Sequence, residues 1–331
     1  MDVPKIAVDV MSGDYAPDEL IKGCAKASKD TSCVIVLVGK EQAINEALKS
    51  CTYNESKIEI VNADDIITME DSPVTAIRTK KDSSMVIGLK LLKEKKVDGF
   101  VCAGNTGALL AGATLIVGRI KGVERPALAP LIPTKRGNTL LIDCGANMDA
   151  KPSYLTQFAR MGTVYMEECL GVKNPKVGLI NVGTEEEKGN TLTKEAFGLL
   201  KVDEKVNFIG NIEAREIPSG EADILVCDAF VGNVILKFME GFGLWVFSML
   251  KTEFTRNIKS KLAALMLKKN IYNIKNKFSY SDKGGAPLLG VNGLVVKTHG
   301  NSKEKEIYST IMQTEEFINN GLIKKIASKL Q

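Results

Sequence analysis

The feature that most restricts the fold is a repeated device: short runs rich in Val, Ile and Leu, closed by small residues and followed by helical patterns. The runs are KIAVDV, CVIVLVG, KIEIVNA, DGFVCAG, TLLIDCG, KVGLINVG, VNFIGNI and DILVCDAF. Near-continuous apolar runs are strands buried on both faces, and their alternation with helices predicts a mostly parallel sheet covered on both sides. The fold expected is a doubly wound α/β body. Four runs end in residues that leave backbone bare: VCAGNTGALLAG at 101–112, LLIDCGAN at 140–147, VGLINVGTEEEKGN at 177–190 and DILVCDAFVGN at 223–233. In open α/β sheets, ligands sit outside the carboxyl ends of the strands, where helix N-termini offer free N–H groups and partial positive charge. These ends predict one crevice that prefers an anion.

With 331 residues and 44% hydrophobic content, the chain can fill a large core. Its net charge of +4, from 44 basic and 40 acidic residues, is too balanced for a nucleic-acid-binding surface. The seven cysteines, at 24, 33, 51, 102, 144, 169 and 227, lie scattered and several sit inside strand runs. They read as small buried hydrophobes in a reducing compartment. No Cys/His cluster has zinc spacing, and a single histidine excludes a metal site built on imidazoles. GxGxxG is missing, and GTEEEKGN does not fit a P-loop, so no nucleotide cofactor is expected. MDVPKIAVDV enters a strand without a signal peptide, and the uncharged run around Gly107–Gly118 is too short to span a bilayer. The expected location is the cytoplasm.

The alternation breaks near Gly241, where a helical stretch runs to about Phe278 before GGAPLLGVNGLVVKTHG returns to turn and strand. The expected organisation is an α/β body over 1–240, an inserted helical arm over 241–283, and a return to the body with a final helix over 284–331. Leu250, Phe254, Ile258, Leu262 and Leu265 form one apolar stripe, and Leu267, Ile271, Ile274 and Phe278 another. Between Lys251 and Lys277 stand eight lysines or arginines and one glutamate. The stripe near the base of the arm suits a dimer. Leu262, Leu265, Met266 and Leu267, set among lysines, suit an anionic membrane surface or an acidic partner, with helix packing as the alternative.

Several blocks are distinctive in combination: VDVMSGDYAP, CAGNTGALLAG, RPALAPLIPT, LIDCGAN, GTEEEKGN, CDAFVGNVILKFMEG, GGAPLLGVNG and KTHGNS, in this order. From about Lys5 to the final helix the chain resembles the bacterial phosphate acyltransferases that make acyl-phosphate for phospholipid synthesis. The resemblance implies a fold related to phosphotransacetylases and isocitrate-type dehydrogenases, and transfer of a fatty acyl group from acyl carrier protein to inorganic phosphate. It also implies a homodimer, delivery of product to a membrane glycerol-3-phosphate acyltransferase, and peripheral association of a cytoplasmic protein with the membrane. One position departs from the family's usual Met-Gly-Gly-Asp, which reads Met11-Ser12-Gly13-Asp14 here. The backbone at Ser12 is expected to need no special conformation.

With that resemblance, Gly104, Asn105, Thr106 and Gly107 are expected to open a helix whose amides and side chains receive phosphate or the acyl carbonyl; the alternative is a tight turn packed on glycine. Lys188, at a strand end, is a candidate to neutralise phosphate, or else a solvated partner of Glu185, Glu186 and Glu187. His299, with a reference pKa of about 6.5, is a candidate donor to the oxyanion or the departing sulfur, or else a structural turn residue. Asn233 is a candidate ligand for phosphate or pantetheine, and Asp228 a candidate to orient Lys188 or His299, with helix capping as the competing role. Asp143, Asn147 and Asp9 are weaker candidates of the same kind. Competing activities are a short-chain phosphotransacetylase using acetyl-CoA and a non-catalytic scaffold that binds carrier protein at the membrane.

Overall fold

The computed structural model describes residues 3–278 and 284–330. In chain order its strands are β1 (Lys5–Asp9), β2 (Val34–Gly39), β3 (Ile58–Asn62), β4 (Gly99–Cys102), β5 (Ala127–Leu128), β6 (Leu131–Thr134), β7 (Gly137–Ile142), β8 (Lys176–Asn181), β9 (Asn207–Glu213), β10 (Ile224–Val226), β11 (Ala286–Leu289) and β12 (Leu294–Lys297). Every run anticipated as a strand is one. Among the described residues they form two sheets, in the orders β3-β2-β1-β4-β12-β11-β5 and β6-β7-β10-β8-β9. Strands β3, β2, β1, β4 and β12 pair in parallel, as do β7, β10, β8 and β9.

The second sheet is thus a chain segment inserted into the first, which is completed by β11 and β12 from the far end of the sequence. Strands β5 and β6 fall within RPALAPLIPT, where prolines mask the strand pattern; β6 pairs antiparallel with β7 at the sheet edge, where proline is tolerated. One hydrophobic cluster joins the two sheets, running from Ile6, Val8 and Val101 to Leu140, Ile142, Val177 and Ile224. The helix Pro152–Leu170 makes the join. Proline opens it, and Gly171 closes it with a left-handed φ of 67°. Its Gly162 sits against Leu140 and Ile224, while its Tyr165 meets Phe317 of the helix Glu304–Asn319 edge-on at 5.5 Å between ring centroids. Burying each such aromatic or aliphatic side chain contributes about 1.5–3 kcal/mol.

After β10 the chain enters the helix Ala229–Thr255, followed by the helices Ile258–Met266 and Lys268–Phe278. The helix runs unbroken through Gly241, because Ala229, Phe230 and their successors already continue the apolar pattern. By length and composition it is able to cross a membrane. Its first turns, however, are tied to the α/β body: Ile235, Leu236 and Met239 pack on the cluster of Ile132, Leu141, Ile180 and Leu225. Beyond these turns many apolar residues stand exposed, among them Phe242, Leu244, Trp245, Ile258, Leu262, Leu265, Met266 and Leu267. Residues 279–283 of the expected arm, and the side chain of Phe278, lie outside the described residues.

Candidate active site

Adjacent parallel strands β1, β4 and β12 bring three turns together at their carboxyl ends. These are Asp9–Asp14, Ala103–Gly107 and Lys297–Gly300. They interlock closely: the Asp14 amide donates to the Gly300 carbonyl at 2.8 Å. A Cβ on Gly104 would lie 2.7 Å from the Cβ of Ser12, and Gly13 holds a φ of +121° with Ala103 and Gly300 pressed against it. Ser12 itself is not among the residues with left-handed backbone, as expected. Its hydroxyl donates to Asp9 Oδ2 at 2.6 Å. Asp9 is fully buried, and burial raises its carboxyl above the ordinary value even though Ser12, Met11 and Cys102 hydrogen-bond to it.

Lys297 ends β12 beside Cys102 of β4 and is buried. Its Nζ donates to the carbonyl of Ala103 at 3.1 Å and also to the carbonyl of Thr298, pinning two of the three turns. Burial pushes its ammonium down to about 8.

The second sheet contributes through the helix Ala229–Thr255. Asp228 caps it, accepting from the Val231 amide at 2.9 Å. The helix can start here because residue 232 is glycine, whose absent Cβ would lie 1.9 Å from the Asp143 carbonyl oxygen. Asn233, Lys237 and Glu240 follow at spacings of four and three, which places them on one face. Lys237 Nζ lies 2.9 Å from His299 Nε2 and 2.8 Å from Glu240 Oε2. His299 Nε2 is 3.7 Å from the same glutamate oxygen. Burial raises the Glu240 carboxyl, yet its contacts with the neighbouring His299 and Lys237 outweigh this and leave the group below its usual range. His299 therefore joins the first sheet to the helix of the second.

The other anticipated residues are placed differently. Asn105 caps its helix, accepting from the Ala108 amide at 3.0 Å, and its Nδ2 reaches the carbonyls of Thr68, Met69 and Asp71. Its side chain is occupied in holding the turn, and the first-turn amides of Thr106 and Gly107 are left without intrahelical partners. Asp143 is buried, with its carboxyl raised by burial to about 6, and accepts from Leu128, Ala146 and Asn147. Asn147 also donates to the Pro126 carbonyl at 2.7 Å. This pair braces the junction between the sheets. Lys188 is exposed at the end of β8, its aliphatic stem lying against Gly183. Among the described residues it makes no ion pair or hydrogen bond to His299, Lys237 or Lys297. Those two lysines and Glu240 were not singled out from sequence. The available signals were a lysine closing the apolar run GLVV, and the spacing of Asn233, Lys237 and Glu240 in a helix that follows a strand end.

Paired α/β sheets with cationic side chains gathered at their carboxyl edges define a fold of the phosphotransacylase type. The phosphotransacetylase of Streptococcus pyogenes superposes with a TM-score of 0.65 over 96% of this chain and 94% of its own, at 16% identity. A branched-chain phosphotransacylase of Enterococcus faecalis V583 gives 0.57 over 96% and 99%, at 13%. At such identities the likeness is one of fold. The chain belongs to the phosphate acyltransferase family: the family described as "Fatty acid synthesis protein" matches residues 4–325. A phosphate acyltransferase of Clostridium novyi (strain NT) is 50% identical over 99% of this chain and 98% of its own, and one of Clostridium acetobutylicum 49% identical over 98% of each. Family membership makes it an acyltransferase with phosphate as acceptor.

Proposed function

We propose that the protein transfers a long-chain fatty acyl group from acyl carrier protein to inorganic phosphate, giving acyl-phosphate for phospholipid synthesis. The observation that carries this reading is the convergence of Lys237, His299 and Lys297 on the amide-rich turns at the carboxyl ends of β1, β4 and β12. An oxygen of hydrogen phosphate attacks the thioester carbonyl, a tetrahedral oxyanion forms, and the C–S bond breaks. The proton lost by phosphate ends on the departing pantetheine thiolate. Much phosphate is already dianionic at neutral pH and a thiolate leaves readily, so placement dominates: orientation contributes about 7–11 kcal/mol, one oxyanion donor about 3–4. His299 is the donor to oxyanion or sulfur, with Lys237 and Glu240 setting its orientation. Asn233, on the same helix face, is the proposed ligand for phosphate or the pantetheine amides. Lys188 remains a candidate for the incoming phosphate, and Asp228 acts through the helix it caps.

Exposed apolar residues along the helix Ala229–Thr255 support a long acyl chain and a homodimer. Phe238, Phe242 and Trp245 form a contiguous aromatic strip, with centroid separations of 5.7 and 5.6 Å. The basic helices beyond it suit an anionic membrane surface, acidic carrier protein, and hand-over to a membrane glycerol-3-phosphate acyltransferase by a cytoplasmic, peripherally bound enzyme. The fold likeness to phosphotransacetylases favours a second reading, a short-chain enzyme using acyl-CoA. A coupled assay of acyl-phosphate formed from palmitoyl-carrier protein against acetyl-CoA separates the two, and equal or better use of acetyl-CoA would reject the long-chain reading. In the same assay His299→Asn should lower kcat strongly with folding intact.

A further inference from the structure

Two lysines from distant parts of the chain lie near enough to influence each other electrostatically. Lys297 is buried and directs two ammonium protons to backbone carbonyls, those of Ala103 and Thr298. Among the described residues no carboxylate lies within ion-pair distance of it, and its third proton has no protein acceptor. Lys237, on the helix Ala229–Thr255, stands 2.9 Å from the ring of His299, two residues along the chain from Lys297. One carboxylate, Glu240, pairs with Lys237 at 2.8 Å. A buried ammonium without a counter-ion is costly, carbonyl contacts offset only part of that cost, and a second ammonium nearby adds to it.

We propose that Lys297, at the end of β12, and Lys237, on the helix that follows β10, together form the seat of the phosphate acceptor, with His299 beside Lys237 to face the thioester. The inference rests on the acyl-transfer reading and gives it a specific anion site. A dianion matches two ammonium groups, and lysine binds phosphate as a compact point charge. The Ala103 carbonyl that Lys297 holds precedes Gly104, so the same amine positions the turn that leads into the helix beginning at Thr106. Burial opposes the Lys297 ammonium most, the nearby Lys237 adds to that, and of the surrounding groups Asp14 and Asp9 favour it while the buried Cys102 thiol stays neutral. Bound phosphate adds to the favourable set. Below about 8 the amine is charged, and as pH rises through that value the seat loses one of its two charges.

The test uses the full chain and inorganic phosphate. Calorimetric titration without acyl donor measures binding, and initial rates over both substrates measure the two KM values. Lys237→Gln and Lys297→Met should each weaken phosphate binding about tenfold or more and raise the phosphate KM by a similar factor. The acyl-donor KM should stay within about twofold, a split that general loosening of the loops does not produce. Wild-type phosphate affinity should fall as pH passes about 8, and this step should vanish in Lys297→Met. Folded Lys237→Gln protein that binds phosphate as wild type does, or loses only kcat, overturns the proposal. If Lys297→Met does not fold, the Lys237 variant and the wild-type pH dependence decide. Lysine-dependent phosphate binding by an enzyme that forms no acyl-phosphate would reject the acyl-transfer reading and leave the seat standing.

Discussion

At Gly232 there is no room for a side chain: a Cβ would lie 1.9 Å from the carbonyl oxygen of Asp143, a backbone atom that cannot rotate away. Gly232→Ala should cost about 1–3 kcal/mol or more through overpacking and shift the helix that holds Lys237. Chemical denaturation and thiol-release rates should fall together, and a variant with unchanged midpoint and turnover would contradict this account. In the sequence Gly232 looks like any small residue after a strand, because its constraint comes from Asp143, far away along the chain. Lys297 was illegible for a related reason. An isolated lysine is usually solvated, and only the β12 to β4 pairing buries it. His299 was legible because it is the one histidine in the chain. Its partner Lys237 lies 62 residues away and meets it only through the fold.

In the helix beginning at Thr106, a turn proposed for the site is also a structural cap. Asn105 caps this helix and tethers Met69 and its neighbours with the same side chain. Asn105→Ala should therefore cost about 1 kcal/mol from the cap, with a further loss from the freed carbonyls. Its apparent phosphate requirement should rise as the turn loosens. A thermal melt beside a phosphate titration checks both, and an unchanged melt with unchanged phosphate dependence would remove the turn from the site. Strand–helix alternation made most elements readable from sequence, because parallel strands are apolar on both faces and need little context. Strands β5 and β6 were not readable. The proline within β6, those flanking β5 and the short lengths of both strands are tolerated only at their particular places in the sheets, and neighbours decide those places.

Across the whole molecule, the exposed apolar residues of the arm bear on assembly. Changing Leu262, Leu265 and Leu267 together to Glu should abolish flotation with liposomes containing anionic lipid while leaving the oligomeric state unchanged. Loss of the oligomer instead would assign those residues to helix packing between copies. The pattern of apolar and polar residues was sufficient by itself for the α/β class and for where the strands end, because both depend on neighbours close in the chain, while the family was legible only through the resemblance of its motif blocks. Only the tertiary structure decided that the strands divide between two sheets, that the chain's last strands complete the first sheet, and that Lys237 and Glu240 reach His299, two residues from the buried Lys297. Those outcomes depend on which distant segments pack together, and local periodicity is the same whichever sheet a buried strand joins.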